Sequence, residues 1–487
     1  MKYETVIGLE VHAQTLTESK IFCGCSTRFG QPANCNVCPV CLGFPGVLPV
    51  LNRKVVELGI RMGLAIHGTI APYARFARKN YFYPDLPKGY QISMYDLPLV
   101  EGGYVEILSN GASKKISLVR IHMEEDAGKS LHEGIAGASH VDMNRAGVPL
   151  LEIVSQPDMR SSEEAVAYLK KLRAILIYAN VSDGDMEKGN FRCDANISLR
   201  PVGASIYGTR AEIKNINSFR FVQKALEYEI LRQEEVLTSG GRVIQETRLW
   251  DAKHSITVSM RSKEEAHDYR YFPEPDLVPL QMDREWVEKI AATIPELPDA
   301  KRERFVREYC IPEYDAGVLT GSRALADFYE SAVALYRHPK TVGNWVMGDL
   351  LGALNREGKD IEEAKIRPDD LAGLLTLMDE GGISGKMAKA VFEEMYQTGQ
   401  APGAIVREKG LSQVSDLGEL GRIVDEVVLA NPREVSGFKA GKERLLGFFV
   451  GEVMKKTGGK ANPAKVNELL EARLAQGPMG QAGELRG

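Results

Sequence analysis

The sequence has no run of 18 or more apolar residues, the length a helix needs to cross a bilayer. Its first residues, Met1-Lys2-Tyr3-Glu4-Thr5-Val6-Ile7, lack the long apolar region of a secretory signal. Both absences point to a soluble protein of the cytoplasm. An excess of positive charge is also missing: 61 Lys and Arg stand against 66 Asp and Glu, a formal net charge of −5. No global basic field exists, so any contact with nucleic acid must rest on a local patch. No repeat at a fixed period appears, which sets aside solenoids and propellers. Nor is there a Gly-x-Ser-x-Gly elbow or a cysteine in a glutaminase-like motif. A phosphate loop is absent as well, because Gly128-Lys129-Ser130 has the end of that motif while Met123 stands where its first glycine belongs. Any nucleotide site must then use scattered basic residues and a metal. Arg78-Lys79-Asn80 and Lys214 are candidates by charge, with ordinary surface charge as the alternative.

What is present is enough chain for several cores: 487 residues, 44% of them hydrophobic, fit two to four domains. Up to about residue 290 the pattern is of short alternating segments, such as Thr5 to Val11 and Lys115 to Ile121, which read as strands of a mainly antiparallel sheet. Two helices interrupt them. One is announced by the capping box Ser161-Ser162-Glu163-Glu164 ahead of Val166, Leu169, Leu172 and Leu176. The other begins near Ser218 and runs through Val222, Leu226 and Ile230 to Gly240-Gly241. Beyond the Pro-rich stretches at 272–276 and 294–298, the composition shifts to Glu, Lys, Leu and Ala at helical spacing. The fold class expected is α+β, with a sheet domain over 1–293, an all-helical domain over 294–402 and a small all-helical tail over 403–475. Residues 476–487 read as disordered.

Three groups of residues carry chemistry. Five of the seven cysteines fall at 23, 25, 35, 38 and 41, a cluster better explained in a reducing compartment by a metal than by disulfides. The pairs Cys23/Cys25 and Cys38/Cys41 can close a tetrahedral Zn²⁺ site, which leaves no open position and so pins a loop. Reduced, partly buried thiols are the alternative, and Cys35 has no role. Hard-metal ligands form the second group. The period of two puts Glu10 with His12, and Asp194 with Asn196, on single strand faces. Glu124-Glu125-Asp126 and Glu212-Ile213-Lys214 add carboxylates and an ammonium. These suit Mg²⁺, although solvated loops and salt bridges produce the same clusters. The third group is basic: Lys439, Lys442, Arg444, Lys455, Lys456 and Lys460 outnumber Glu443 and Glu452 over 436–460. That patch can track phosphates, or it is a solvated helical face.

Several blocks bear a resemblance to one family. Glu4 to His12, Arg78 to Ile92, Glu124 to Lys129, Asp142 to Leu150, Arg192 to Asn196 and Glu212 to Phe219 resemble, in order, the hallmarks of the GatB family of amidotransferase subunits, which amidate misacylated tRNA. The resemblance implies a cradle-shaped catalytic domain, a helical domain and a helical tail that contacts tRNA. It implies a reaction in which ATP phosphorylates the carboxylate of Glu-tRNA(Gln) or Asp-tRNA(Asn). Ammonia released from glutamine by a separate amidase subunit then displaces the phosphate, in a heterotrimer completed by one further small subunit. It also implies site residues: Glu10, His12, Glu124, Glu125 and Asp194 for magnesium, Asn196 close by, and Lys79 and Lys214 near phosphate or the aminoacyl end. Two other classes stay open. One is a zinc-bearing tRNA-binding subunit without catalysis. The other is a metal-dependent phosphate-ester hydrolase built on Glu10, His12 and Asp194.

Overall fold

The computed structural model describes residues 2–109, 111–131, 139–262, 268–411, 417–458 and 461–476. The chain divides into two compact units, residues 1–300 and 301–487. Lys460 and residues 477–487 lie outside the described residues.

The first unit is organised by one long strand, Tyr3–Gln14. It pairs antiparallel with Pro149–Ser155 on one side and with Phe191–Pro201 on the other. Its odd residues Ile7, Leu9, Val11 and Ala13 are fully buried, whereas Glu10, His12 and Gln14 are half-buried. The period of two therefore gives the strand a core face and a polar face. Outward from Pro149–Ser155 follows Ala112–Glu125, and outward from Phe191–Pro201 follow Ala211–Ile216, Glu246–Asp251 and Ile256–Ser262. All these pairings are antiparallel except that of Ala211–Ile216 with Glu246–Asp251. A parallel neighbour needs a crossover, and the helix Phe219–Thr238 lies between the two in sequence. Both helices expected from the sequence form, at Ser162–Tyr178 and Phe219–Thr238. Ser161 and Ser218 accept from the backbone N–H three residues on. Leu169, Leu172, Val222 and Leu226 join the odd face of the central strand in one core.

A further helix, Arg53–Ala65, is one that the sequence pattern did not announce. Asn52 caps it, and Val55, Val56, Leu58, Ile60 and Met62 are buried. Glu124 and Glu125 are the last two residues of their strand rather than a loop beyond it. Gly128-Lys129-Ser130 enters a two-strand ribbon, Lys129–Leu131 with His140–Asp142, and opens no helix.

The second unit is helical, and two separate cores form in it. One gathers residues from Phe305 to Ile405, the other residues from Leu420 to Leu474. The molecule is thus mixed α/β, sheet-rich in its N-terminal part and helical in its C-terminal part. Among the described residues no helix is long and apolar enough to cross a membrane.

Truncation of the central strand's core face tests this arrangement. Leu9→Ala should destabilise the N-terminal unit by about 2–5 kcal/mol, read as a lower denaturant midpoint for that unit. An unchanged midpoint would mean Leu9 is not in the core.

Candidate active site and metal centres

Cross-strand partners point to the same face of a sheet, so the register assembles the site. One row runs Arg192, His12, Glu152, His122 over four strands, and a second runs Asp194, Glu10, Val154. Asn196 stands opposite both Gly8 and Glu212. A register shift between Cys193 and Ala195 disturbs the ladder beside Asp194, and Lys214 of the neighbouring strand pairs with Asp194 and, at 3.0 Å, with Glu212.

At the middle of this face one nitrogen and two carboxylates converge. His12 Nε2 lies 3.3 Å from Glu124 Oε1 and 3.5 Å from Glu152 Oε2. Ligand atoms of the three residues lie within 4.8 Å of one another, close enough to hold one metal ion. Burial opposes a charge on His12, but hydrogen bonds to Glu124 and Glu152 outweigh it and hold its pKa up at about 10. Ser93 Oγ donates to Glu124 Oε2 at 3.2 Å. Glu10 is pushed above the usual carboxylate range by burial and by repulsion from Glu152, Glu212 and Asp194. Asn196 Nδ2 donates to it at 2.9 Å. This face therefore gathers several carboxylates around Glu10, a setting in which a divalent ion offsets negative charge.

Lys79 belongs here too. Burial opposes its charge, yet Glu124, Tyr271 and Glu152 raise its pKa, and its ammonium sits 5.0 Å from the ring centre of Tyr269. Tyr269 and Tyr271 are residues that sequence reasoning missed; their spacing of two within Asp268-Tyr269-Arg270-Tyr271 was the available signal. Glu152 was missed as well, a lone acid inside the apolar strand Pro149–Ser155. Arg78, by contrast, is engaged structurally, with Nε 2.7 Å from the buried Glu274.

Glu125 does not join this group. Its position on the strand has the opposite parity to Glu124, and its carboxylate pairs with Lys88 and accepts from Ile92 N at 2.8 Å. Expected beside His12, it instead lines a small cavity with Lys88, Cys23 and Cys41. The other sequence-derived residues, Glu10, His12, Lys79, Glu124, Asp194, Asn196 and Lys214, do lie on or against the one face. Its far end opens into a cavity of about 570 Å³, which Gly8, Glu10, Asn196, Tyr207, Thr209 and Arg210 help to line. The missing side chain at Gly8 leaves room there.

The four cysteines 23, 25, 38 and 41 also converge, with all Sγ atoms within 4.8 Å, and could hold a metal; Cys35 is exposed and outside the cluster. The Cys41 thiol is lowered to about 4 by a hydrogen bond from Cys23, helped by Cys38 N and the Lys20 ammonium against the cost of burial. Lys20, wholly buried, donates to Asn36 O at 2.7 Å and to Cys41 Sγ at 3.6 Å. A buried cation beside a thiolate set offsets the charge that four sulfurs bring to a divalent ion. Burial pushes Cys25 up to about 11 and the hydrogen bond with Cys41 raises Cys23. Asn36 N donates to Asn144 Oδ1 at 2.8 Å and Met143 N to Asn34 Oδ1 at 2.7 Å, stitching the cysteine loop to the 141–144 segment. Gly43 turns through a φ of +68°, and a Cβ there would meet Lys88 Cγ at 2.4 Å, so only glycine fits against that lysine.

In the second unit Lys439, Lys442, Arg444, Lys455 and Lys456 are all exposed. Lys456 pairs with Glu426 at 2.7 Å and Lys455 reaches Glu452 at 3.9 Å, which leaves Lys439, Lys442 and Arg444 as the more open part of the patch.

A family model described as the GatB/GatE catalytic domain matches residues 5–288, and one described as the GatB domain matches residues 327–474. The chain is 61% identical over 470 residues to the GatB subunit of the aspartyl/glutamyl-tRNA(Asn/Gln) amidotransferase of Thermodesulfovibrio yellowstonii, covering 96% of this chain and 99% of that one. It is 59% identical over 478 residues to the protein of the same name from Carboxydothermus hydrogenoformans, covering 98% and 99%.

Metal analysis of Cys41→Ser tests the cysteine centre. The purified wild-type chain should carry one thiophilic metal ion that the variant loses, along with several degrees of melting temperature. Equal metal content in the two proteins would remove the cluster from consideration.

Proposed function

We propose, for a chain that belongs to the GatB family of tRNA-dependent amidotransferase subunits, that it activates and amidates a carboxylate esterified to tRNA. The substrates are Glu-tRNA(Gln), Asp-tRNA(Asn) or both. The observation that carries the reading is the convergence of His12, Glu124 and Glu152 beside Lys79, on the same sheet face that opens at Glu10 into the large cavity.

The chemistry follows from the electrophile. A carboxylate resists attack by ammonia until an oxygen becomes a good leaving group. Its oxygen attacks the γ-phosphorus of ATP, ADP departs, and ammonia then displaces phosphate from the mixed anhydride to leave the amide. His12, Glu124 and Glu152 would hold a magnesium ion, which would supply neutralisation of the charge spread over the transferring phosphoryl group. Glu10, with Asn196 donating to it, and Asp194 extend the site toward the cavity, which is of a size for a nucleotide. Lys79 and Lys214 offer ammoniums to phosphate oxygens from opposite ends of the face. Lys214 is already held by Asp194 and Glu212, and so is kept in place for that task. Glu125, bound to Lys88, is no ligand in this reading.

The cysteine cluster holds zinc as a structural ion with no open position. The sheet domain is the cradle that receives the acceptor end. The exposed lysines of residues 436–456 track tRNA phosphates from the tail. Ammonia comes from a separate amidase subunit, with one further small subunit completing a cytoplasmic heterotrimer, since no glutaminase motif stands out in this sequence.

Two outcomes test this. Glu152→Gln in the assembled enzyme should cut ATP-dependent amide formation by about 100-fold, while the partner's glutamine hydrolysis and the melting temperature hold. Full activity in that variant would remove Glu152 from the metal site, and phosphate release by the wild type without misacylated tRNA or partner would favour the phosphate-ester hydrolase instead. Lys439→Ala combined with Lys442→Ala should weaken tRNA binding and flatten the slope of log affinity against log salt by about two. An unchanged slope would exclude these side chains from the RNA contact.

A further inference from the structure

The geometry points to His122 as the positioning residue for Glu152, the carboxylate the metal site shares with His12; this rests on the metal reading proposed above. His122 lies two residues before Glu124 on the strand Ala112–Glu125, so it shares the polar face, and it stands directly across from Glu152 in the ladder. It is only 5% exposed, so its partners are the protein groups around it. Its Nδ1 is 2.8 Å from the carbonyl oxygen of Met94, which can only accept, so Nδ1 carries a proton. Met94 ends the strand Tyr90–Met94, itself paired along its length with Phe76–Asn80. The ring is thus fixed at one edge by backbone that cannot shift alone.

The other edge reaches the site. His122 Nε2 lies at an ion-pair distance of 3.0 Å from Glu152 Oε2, without the alignment of a hydrogen bond, and that oxygen is the one that stands 3.5 Å from His12 Nε2. A glutamate side chain turns about several bonds, and a ring held rigidly at one end removes most of that freedom at the carboxylate. Ser93 anchors Glu124 in the corresponding way, and the two anchors come from adjacent residues of one strand, 93 and 94. Partners that orient a metal-binding carboxylate commonly set both its affinity and its geometry.

Two substitutions separate positioning from packing. The amide of His122→Asn sits near the Nδ1 position and can keep the bond to Met94 O while losing the reach to Glu152. The amide of His122→Gln sits near Nε2 and can keep an N–H beside Glu152. The measurement is Mn²⁺ binding to the full chain, titrated by electron paramagnetic resonance, together with the metal dependence of amidation and the KM for misacylated tRNA in the assembled enzyme. His122→Asn should weaken Mn²⁺ binding by about 10–100-fold at an unchanged KM for tRNA, and His122→Gln should recover most of it. Wild-type Mn²⁺ affinity in His122→Asn would overturn the role. So would an equal loss in both variants accompanied by a lowered melting temperature, the signature of packing alone. A wild-type chain that binds Mn²⁺ but forms no amide in the assembled enzyme, with glutamine, ATP and misacylated tRNA present, would refute the proposed function, while the titration of His122→Asn would still decide the position of Glu152.

Discussion

The polar face of the central sheet has to accommodate carboxylates that repel one another. Glu10, Glu124, Glu152, Asp194 and Glu212 are brought together by strand register, and burial, full at Glu124 and Glu152 and partial at the others, limits the water that would screen them. Part of the charge is met by imidazole and ammonium groups: His12 between Glu124 and Glu152, and Lys214 between Asp194 and Glu212. Burial, with repulsion from Glu152, Glu212 and Asp194, raises the Glu10 carboxyl. Sites strained in this way are where function concentrates, and how the charge is answered decides what this face can bind.

The fold makes the arrangement tolerable by giving the opposite face of the same strands to the core. Ile7, Leu9, Val11 and Ala13 alternate with the polar residues along one strand, so neither set can move by one residue without exposing the other. The site is rigid because the core is. The cysteine loop adds a second constraint from the side, stitched to residues 143 and 144 and packed through Gly43 against Lys88, which in turn holds Glu125.

Much of this was legible in the sequence, and the exceptions have physical reasons. Period two put Glu10 with His12 and Asp194 with Asn196, because that relation is local to a strand. It could not choose between Glu124 and Glu125, since parity assigns a face only once the neighbouring strand's register is known; the pairing of Leu150 with Glu124 and of Glu152 with His122 supplies it. Glu152 was hidden in an apolar segment, where a single polar residue gives no pattern, whereas His122 alternates with Arg120 and Glu124 along its strand and was passed over although period two places it on their face. The helix Arg53–Ala65 was missed although Asn52 caps it. The cysteine pairs and both serine-capped helices were readable because their signals are complete within a few residues. The basic tail was readable as composition, whereas the pairing of Lys456 with Glu426, 30 residues away, was not.

The decisive measurement is a crystal structure of the full chain soaked with Mn²⁺ and a non-hydrolysable ATP analogue, read by anomalous scattering. A manganese peak is expected within coordination distance of His12 Nε2, Glu124 and Glu152, with phosphate oxygens beside it and the nucleoside in the cavity at Gly8 and Glu10. A peak at Glu125 and Lys88 instead, or nucleotide bound with no metal near His12, would contradict a metal site built on the polar sheet face.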